Sequence, residues 1–173
     1  MTKKEIIVKD ENIQIQKMDP SMVYDVWQNS LDANNRRFVP DEVFETLEDA
    51  KEVVNSIIQS YENEDGPFIY AIIRTKDNKN IGYVQLVKID EGWEIGYHIA
   101  EAYTGNGYAT EAVNLYIDYL KKNSSLKEIC GVALFDNKAS RRVLEKCGFE
   151  LIFEGEGLYQ GNNRKIIKTI KKL

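Results

Sequence analysis

Residues 103 to 111 read Tyr103-Thr104-Gly105-Asn106-Gly107-Tyr108-Ala109-Thr110-Glu111. Two glycines stand between a strand-like run, Trp93 to Ile99, and a strongly helical one. Glycine permits backbone conformations and close approaches that a Cβ forbids. The first N–H groups of a helix have no internal acceptor. With the helix dipole they form an anion site suited to phosphate. The pattern points to a phosphate-bearing ligand, although the same spacing also serves as a plain tight connection. Two familiar phosphate motifs fail. A P-loop needs Gly-Lys-Ser/Thr, and Gly107 is followed by Tyr108 and Ala109. The dinucleotide fingerprint needs a third glycine where Thr110 stands.

Elements of strand and helix must position this turn. Asn12 to Met18 alternates polar and apolar residues, a strand signal. Asp19-Pro20 reads as a cap and first helical position, opening a helix to about Leu31. Asp32 to Glu45 reads as polar and irregular. Val53, Val54, Ile57 and Ile58 predict a helix from about Leu47 to Tyr61. Three strands follow, Phe68–Ile73, Asn80–Val87 and Trp93–Ile99. Short turn-rich joins predict an antiparallel meander. A helix runs from Gly107 to about Asn123, a strand over 127–134, and a helix from Asn137 to Cys147 stopped by Gly148. Strands over 149–153 and 164–170 close the chain. The order is β-α-α-β-β-β-α-β-α-β-β, an α+β (mixed α/β) fold with a mixed, mostly antiparallel sheet flanked by helices.

Bulk properties bound the function. A length of 173 residues suits one domain spanning the whole chain, with residues 1–10 charged and loosely ordered. The net charge of −5 argues against a nucleic-acid partner that relies on a positive field. It suits a cationic substrate such as an amine, and equally suits ordinary solubility. No apolar run approaches the ~20 residues that span a bilayer, and the N-terminus lacks a signal-peptide core. A cytoplasmic protein without a membrane partner is expected. Cys130 and Cys147 read as reduced core thiols, and with His98 as the one histidine no zinc site is expected.

Two motifs together resemble the GNAT superfamily of acetyl-CoA-dependent N-acetyltransferases, in particular its RimJ/RimL branch. The family's Gln/Arg-x-x-Gly-x-Gly/Ala motif is matched by Thr104-Gly105-Asn106-Gly107-Tyr108-Ala109, with Thr104 departing from Gln or Arg. The extension Gly107 to Ala112, Gly-Tyr-Ala-Thr-Glu-Ala, is typical of that branch. Asn137-Lys138-Ala139-Ser140 followed by Gly148-Phe149 is similar to the family's Asn-x-x-Ser and Gly-Phe pattern. The resemblance covers residues 12 to 172 and implies a GNAT-like fold with acetyl-CoA as cosubstrate.

The resemblance also implies roles. Residues 104 to 109 would grip the CoA pyrophosphate through main-chain N–H groups. Asn137 would contact the CoA arm, or act only as a helix cap. The main chain of His98 and Ile99 would stabilise the oxyanion. Glu94 would bind or deprotonate the amine, or else face solvent. Deprotonation matters because freeing a lysine-like amine (pKa ~10.4) at pH 7 costs about 4–5 kcal/mol, against about 1 kcal/mol for an α-amine. Many relatives place a tyrosine acid where Leu144 stands, and Ser140 is the suggested substitute or a contact to the sulfur. Acidic Asp32, Asp41 and Glu42 would attract an amine or lie solvated on the surface. The function implied is direct acetyl transfer to a primary amine, on a protein N-terminus or a small molecule. The rival is a non-catalytic acyl-CoA-binding or sensing domain. Homodimers are frequent among relatives.

Overall fold

Strand alternation builds two apolar faces on one sheet. The computed structural model describes residues 3–173. Along strand β3 (Phe68–Arg74), Tyr70 and Ile72 point to one face while Ala71 and Ile73 point to the other, as a period of two requires. The first face packs on helix α4 (Tyr108–Asn123) through Val113, Tyr116 and Leu120, and on helix α5 (Lys138–Lys146) through Leu144. The second packs on helices α1 (Val23–Ser30) and α3 (Leu47–Ser60) through Val26, Val54 and Ile57.

The sheet has eight strands in the order β1-β2-β3-β4-β5-β6-β8-β7. They are β1 (Ile6–Lys9), β2 (Ile13–Lys17), β3, β4 (Lys79–Ile89), β5 (Gly92–Ile99), β6 (Glu128–Leu134), β7 (Glu150–Tyr159) and β8 (Asn162–Lys172). The predicted meander β3-β4-β5 is antiparallel throughout. The parallel pair is β5–β6. It is held at only two positions, Glu94 opposite Cys130 and Ile95 opposite Gly131. Beyond them the strands part, and each finds its partner on its other side. β5 stays paired with β4 as far as Ile99, and β6 with β8 as far as Leu134. Because β5 and β6 run parallel, α4 and α5 both begin at this open end.

The structure adds one strand and one helix to the predicted order. Residues 1–10, read as loosely ordered, contain β1, whose Ile6 to Lys9 pair with β2; Met1 and Thr2 lie outside the described residues. The segment 32–45, read as irregular, contains helix α2 (Ala33–Phe38). Six residues are too few to show helical periodicity. α2 is instead held by side chains: Asp32 accepts from the Asn35 N–H at 2.7 Å, and the Asn35 amide donates to the carbonyls of Ser30 and Glu42, both at 2.9 Å. The helix predicted from Pro20 begins with a 3-10 turn, and α1 proper opens at Val23. β7 continues six residues past Phe153, because pairing with β8 persists through Gly155 and Gly157 to Tyr159.

Candidate active site

The divergence of β5 from β6 opens a cleft of about 700 Å³, within the usual range for small-molecule sites, ~300–1,000 Å³. It passes through the sheet. Thr104, Ala109, Asn137 and Ser140 line its α4/α5 side. Glu94 and His98 alternate to the other face, with Tyr83 and Gln85 of β4 beside them and Glu42 above. The tip of the β7–β8 hairpin closes one flank with Leu158 and Tyr159. Of the residues singled out from sequence, Glu94, His98, Ile99, Thr104, Ala109, Asn137 and Ser140 meet here. Gly105, Asn106, Gly107 and Tyr108 do not line the cleft; they form the turn and first helical residue beyond its rim.

At that turn Gly105 and Gly107 both have φ of +80°, where a side chain is strained. A Cβ on either would meet no atom within 4 Å. Gly107 is the N-cap of α4 and supplies no capping side chain, so the first turn presents bare N–H groups to open space. Asn137 caps α5, accepting from the Ser140 N–H at 3.2 Å. Its capping role is therefore filled, while it also borders the cleft.

Sequence reasoning missed Tyr97. Its phenol lies 2.9 Å from the Ser140 carbonyl, to which it donates, and 3.0 Å from Ser140 Oγ. Burial raises its pKa well above the ordinary tyrosine value, so it remains a neutral donor. Tyr97 thereby ties β5 to the first turn of α5 across the gap. Tyr97→Phe is expected to lower stability by about 0.5–1.5 kcal/mol, the net worth of one such bond. A shift in urea midpoint measures it, and an unchanged midpoint would show that the tie carries no weight.

Three further groups set the electrostatics. Burial pushes the Glu94 carboxyl above the usual carboxylate range, against the pull of Lys168. Asp32 lies 3.7 Å from His98 Nε2, longer than a hydrogen bond. Burial opposes its ionisation, but the His98 ring and the N–H groups of Glu101 and Asn35 hold its carboxyl down at about 2. Glu42, grouped by sequence with exposed Asp41, is partly buried, and the Tyr83 hydroxyl donates to it. Cys130, read as a core thiol, lines the cleft beside Glu94. Burial and then the Glu94 charge push its thiol up to about 11. Cys147 is buried as expected.

The model of the Acetyltransferase (GNAT) domain matches residues 14–150. The chain belongs to this family. The match takes in the whole cleft except the parts built by β7 and β8. Among curated GNAT relatives, the probable N-acetyltransferase YjcK of Bacillus subtilis is 37% identical over 90 residues, which is 50% of each chain. The chain thus spans half the length of this relative. The uncharacterized N-acetyltransferase YnaD of the same organism is 30% identical across 71% of this chain and 70% of its own. The matched domain is an acetyltransferase domain, and both relatives carry N-acetyltransferase names. Its fold superposes on a GNAT-family acetyltransferase from Bacillus anthracis with a TM-score of 0.81 at 24% identity, covering 95% of this chain and 97% of that one. RimL, a ribosomal L7/L12 α-N-protein acetyltransferase solved with coenzyme A, superposes at 0.84 with 19% identity and 98% of both chains. RimL-type enzymes are therefore among the structural neighbours of this GNAT chain, as its motifs implied. Leu144, where many GNAT proteins carry tyrosine, is 1% exposed and abuts the glycine face of Gly131. No hydroxyl reaches the cleft from that position.

Among the described residues no group of three or more His, Cys, Asp and Glu gathers to hold a metal ion. Among the described residues no helix is long and apolar enough to cross a membrane.

Proposed function

We propose that the chain transfers an acetyl group from acetyl-CoA to a primary amine by direct attack in a ternary complex. The observation that carries this reading is the through-sheet gap: a bare, glycine-led helix start on one face and a raised-pKa carboxylate, Glu94, on the other. The residues present fit the donor. Positive-φ Gly105 and Gly107 leave open space before the N–H groups of Tyr108, Ala109 and Thr110, which suits a pyrophosphate. Thr104 and Asn106 flank that turn, and Asn137 and Ser140 line the path toward the gap. Acetyl-CoA supplies the activated thioester.

Glu94 takes the amine proton, directly or through one water, as the nitrogen attacks. The main-chain N–H of Ile99 stabilises the developing oxyanion, since it turns to the side that β6 has left; the N–H of His98, two residues before Ala100, which donates to Ile81, turns to β4 instead. A carbon–nitrogen bond forms and the carbon–sulfur bond breaks. Ser140 Oγ hydrogen-bonds the departing sulfur. A thiolate of pKa ~8.5 leaves with little further help.

Neither thiol supports an acyl-enzyme, because both are raised to about 11 by burial. A Cys130→Ser, Cys147→Ala double variant is expected to retain turnover once folded, and to show no acetyl adduct by mass spectrometry. Loss of all turnover with CoA binding intact would overturn direct transfer. The proposed function as a whole is tested by free-CoA release against a panel of amines and peptides. Steady release with one acceptor class supports it. Tight CoA binding with no release for any amine would point to a sensing domain.

A further inference from the structure

A second cavity of about 140 Å³ lies between α1, α2, α3 and the face of β4. It shares Glu42, Tyr83, Gln85 and His98 with the main cleft, so the two spaces adjoin. One wall is apolar, formed by Val26, Phe44, Val53 and Ile57. The other is polar, and it holds unpaired acceptors beside the amides of Asn29 and Gln85. Both N–H groups of the Asn35 amide are spent on the carbonyls of Ser30 and Glu42, which leaves Asn35 Oδ1 buried without a partner. Asn35 is 2% exposed. Glu42 receives one bond, from Tyr83, and retains its other lone pairs. His98 Nε2 is buried and likewise unpartnered. Among the described residues, no lysine or arginine lines the space.

These facts describe an unfilled requirement. Buried polar atoms are normally paired, and an orphan costs about 1–3 kcal/mol. Glu42 is partly buried, and a carboxylate drawn out of water gains from a facing cation. The space is adequate for a ligand, since an apolar cavity of ~150 Å³ is known to hold benzene. The occupant that satisfies both walls has an aliphatic body and a terminal ammonium. His98 joins the two spaces: its main chain borders the reaction gap and its ring borders the cavity.

We propose that this cavity anchors the far, non-reacting end of the acceptor, and that the acceptor class is a small aliphatic diamine. One amine is acetylated in the gap while the other ammonium is held by Glu42 and Asn35 Oδ1. This rests on the acetyltransferase reading above.

The test compares a homologous series of α,ω-diamines with n-alkylamines of the same chain length, read by free-CoA release. The diamine is expected to exceed its matched monoamine in kcat/KM by roughly ten- to a hundredfold, the worth of a charge-assisted bond, chiefly through KM. Glu42→Gln should bring that ratio close to one. Val53→Phe, which fills the apolar wall and keeps the carboxylate, should do the same. Equal kcat/KM for the two series in an enzyme that turns both over would overturn the proposal and leave the acetyltransferase reading standing. If no amine releases CoA, the acetyltransferase reading fails, and calorimetric titration of the diamine into the whole protein decides the cavity on its own. Saturable one-site binding that Glu42→Gln abolishes would uphold it, and no binding would overturn it.

Discussion

Glu94→Gln is expected to lower kcat/KM for acetyl transfer by roughly 10²- to 10⁴-fold, the usual contribution of a general base. CoA affinity should hold, because Glu94 faces away from α4 and Ser140. The wild-type pH profile should carry an acid limb with its midpoint above the ordinary glutamate value, since burial raises this carboxyl. The base is competent only when ionised, so activity falls as pH drops through that raised pKa. Glu94→Gln should remove this limb and keep any limb belonging to the amine itself. Stability runs the opposite way. Between the ordinary and the raised pKa, the folded chain binds more protons than the unfolded chain. Stability therefore declines as pH rises through that window. A neutral glutamine escapes the penalty, so the melting temperature of the variant should equal or exceed that of wild type at pH 7. A lower melting temperature that accounts for the lost activity would assign Glu94 a structural role.

Gly82→Ala should be the most damaging single methyl in the sheet. Gly82 stands opposite Ile99 in the β4–β5 ladder. A Cβ there would lie 2.0 Å from the His98 carbonyl oxygen and 3.0 Å from Ile99 Cα. The obstructing atoms are backbone, so no rotamer change relieves the clash and β5 must move off β4. Overpacking costs typically ~1–3 kcal/mol, and the upper end is expected because nothing flexible can yield. The movement falls on His98 and Ile99, the stretch of β5 that borders the gap. Turnover should therefore drop further than the folded fraction does. Urea denaturation and CoA release on the same sample separate the two losses. A wild-type midpoint would show that the strands tolerate separation.

Local rules carried most of the fold. Tyr70, Ala71, Ile72 and Ile73 alternate between two cores just as their spacing predicts. Gly148 stops α5 with φ of +78°. β1 and α2 escaped because each is too short to display a period. α2 depends on Asp32 and Asn35 capping bonds, and Asn35 reaches Glu42 seven residues on. The extent of β7 was hidden because its run past Phe153 is set by pairing with β8 rather than by a local pattern.

The sequence by itself determined the order of the central elements, the glycine turn before α4, the Asn137 cap and the family. Each follows from backbone freedom, side-chain period or a motif confined to a few neighbouring residues. Only the tertiary structure decided that β5 and β6 part after Ile95 and Gly131, and that Cys130 lies in the cleft rather than the core. It also decided that Tyr97 ties Ser140 across 43 residues, and that Glu42, 41 residues from Tyr83, borders a cavity with unpaired acceptors. Burial and unmet hydrogen bonds are properties of what packs around an atom, and no local pattern encodes the neighbours that distant chain segments bring.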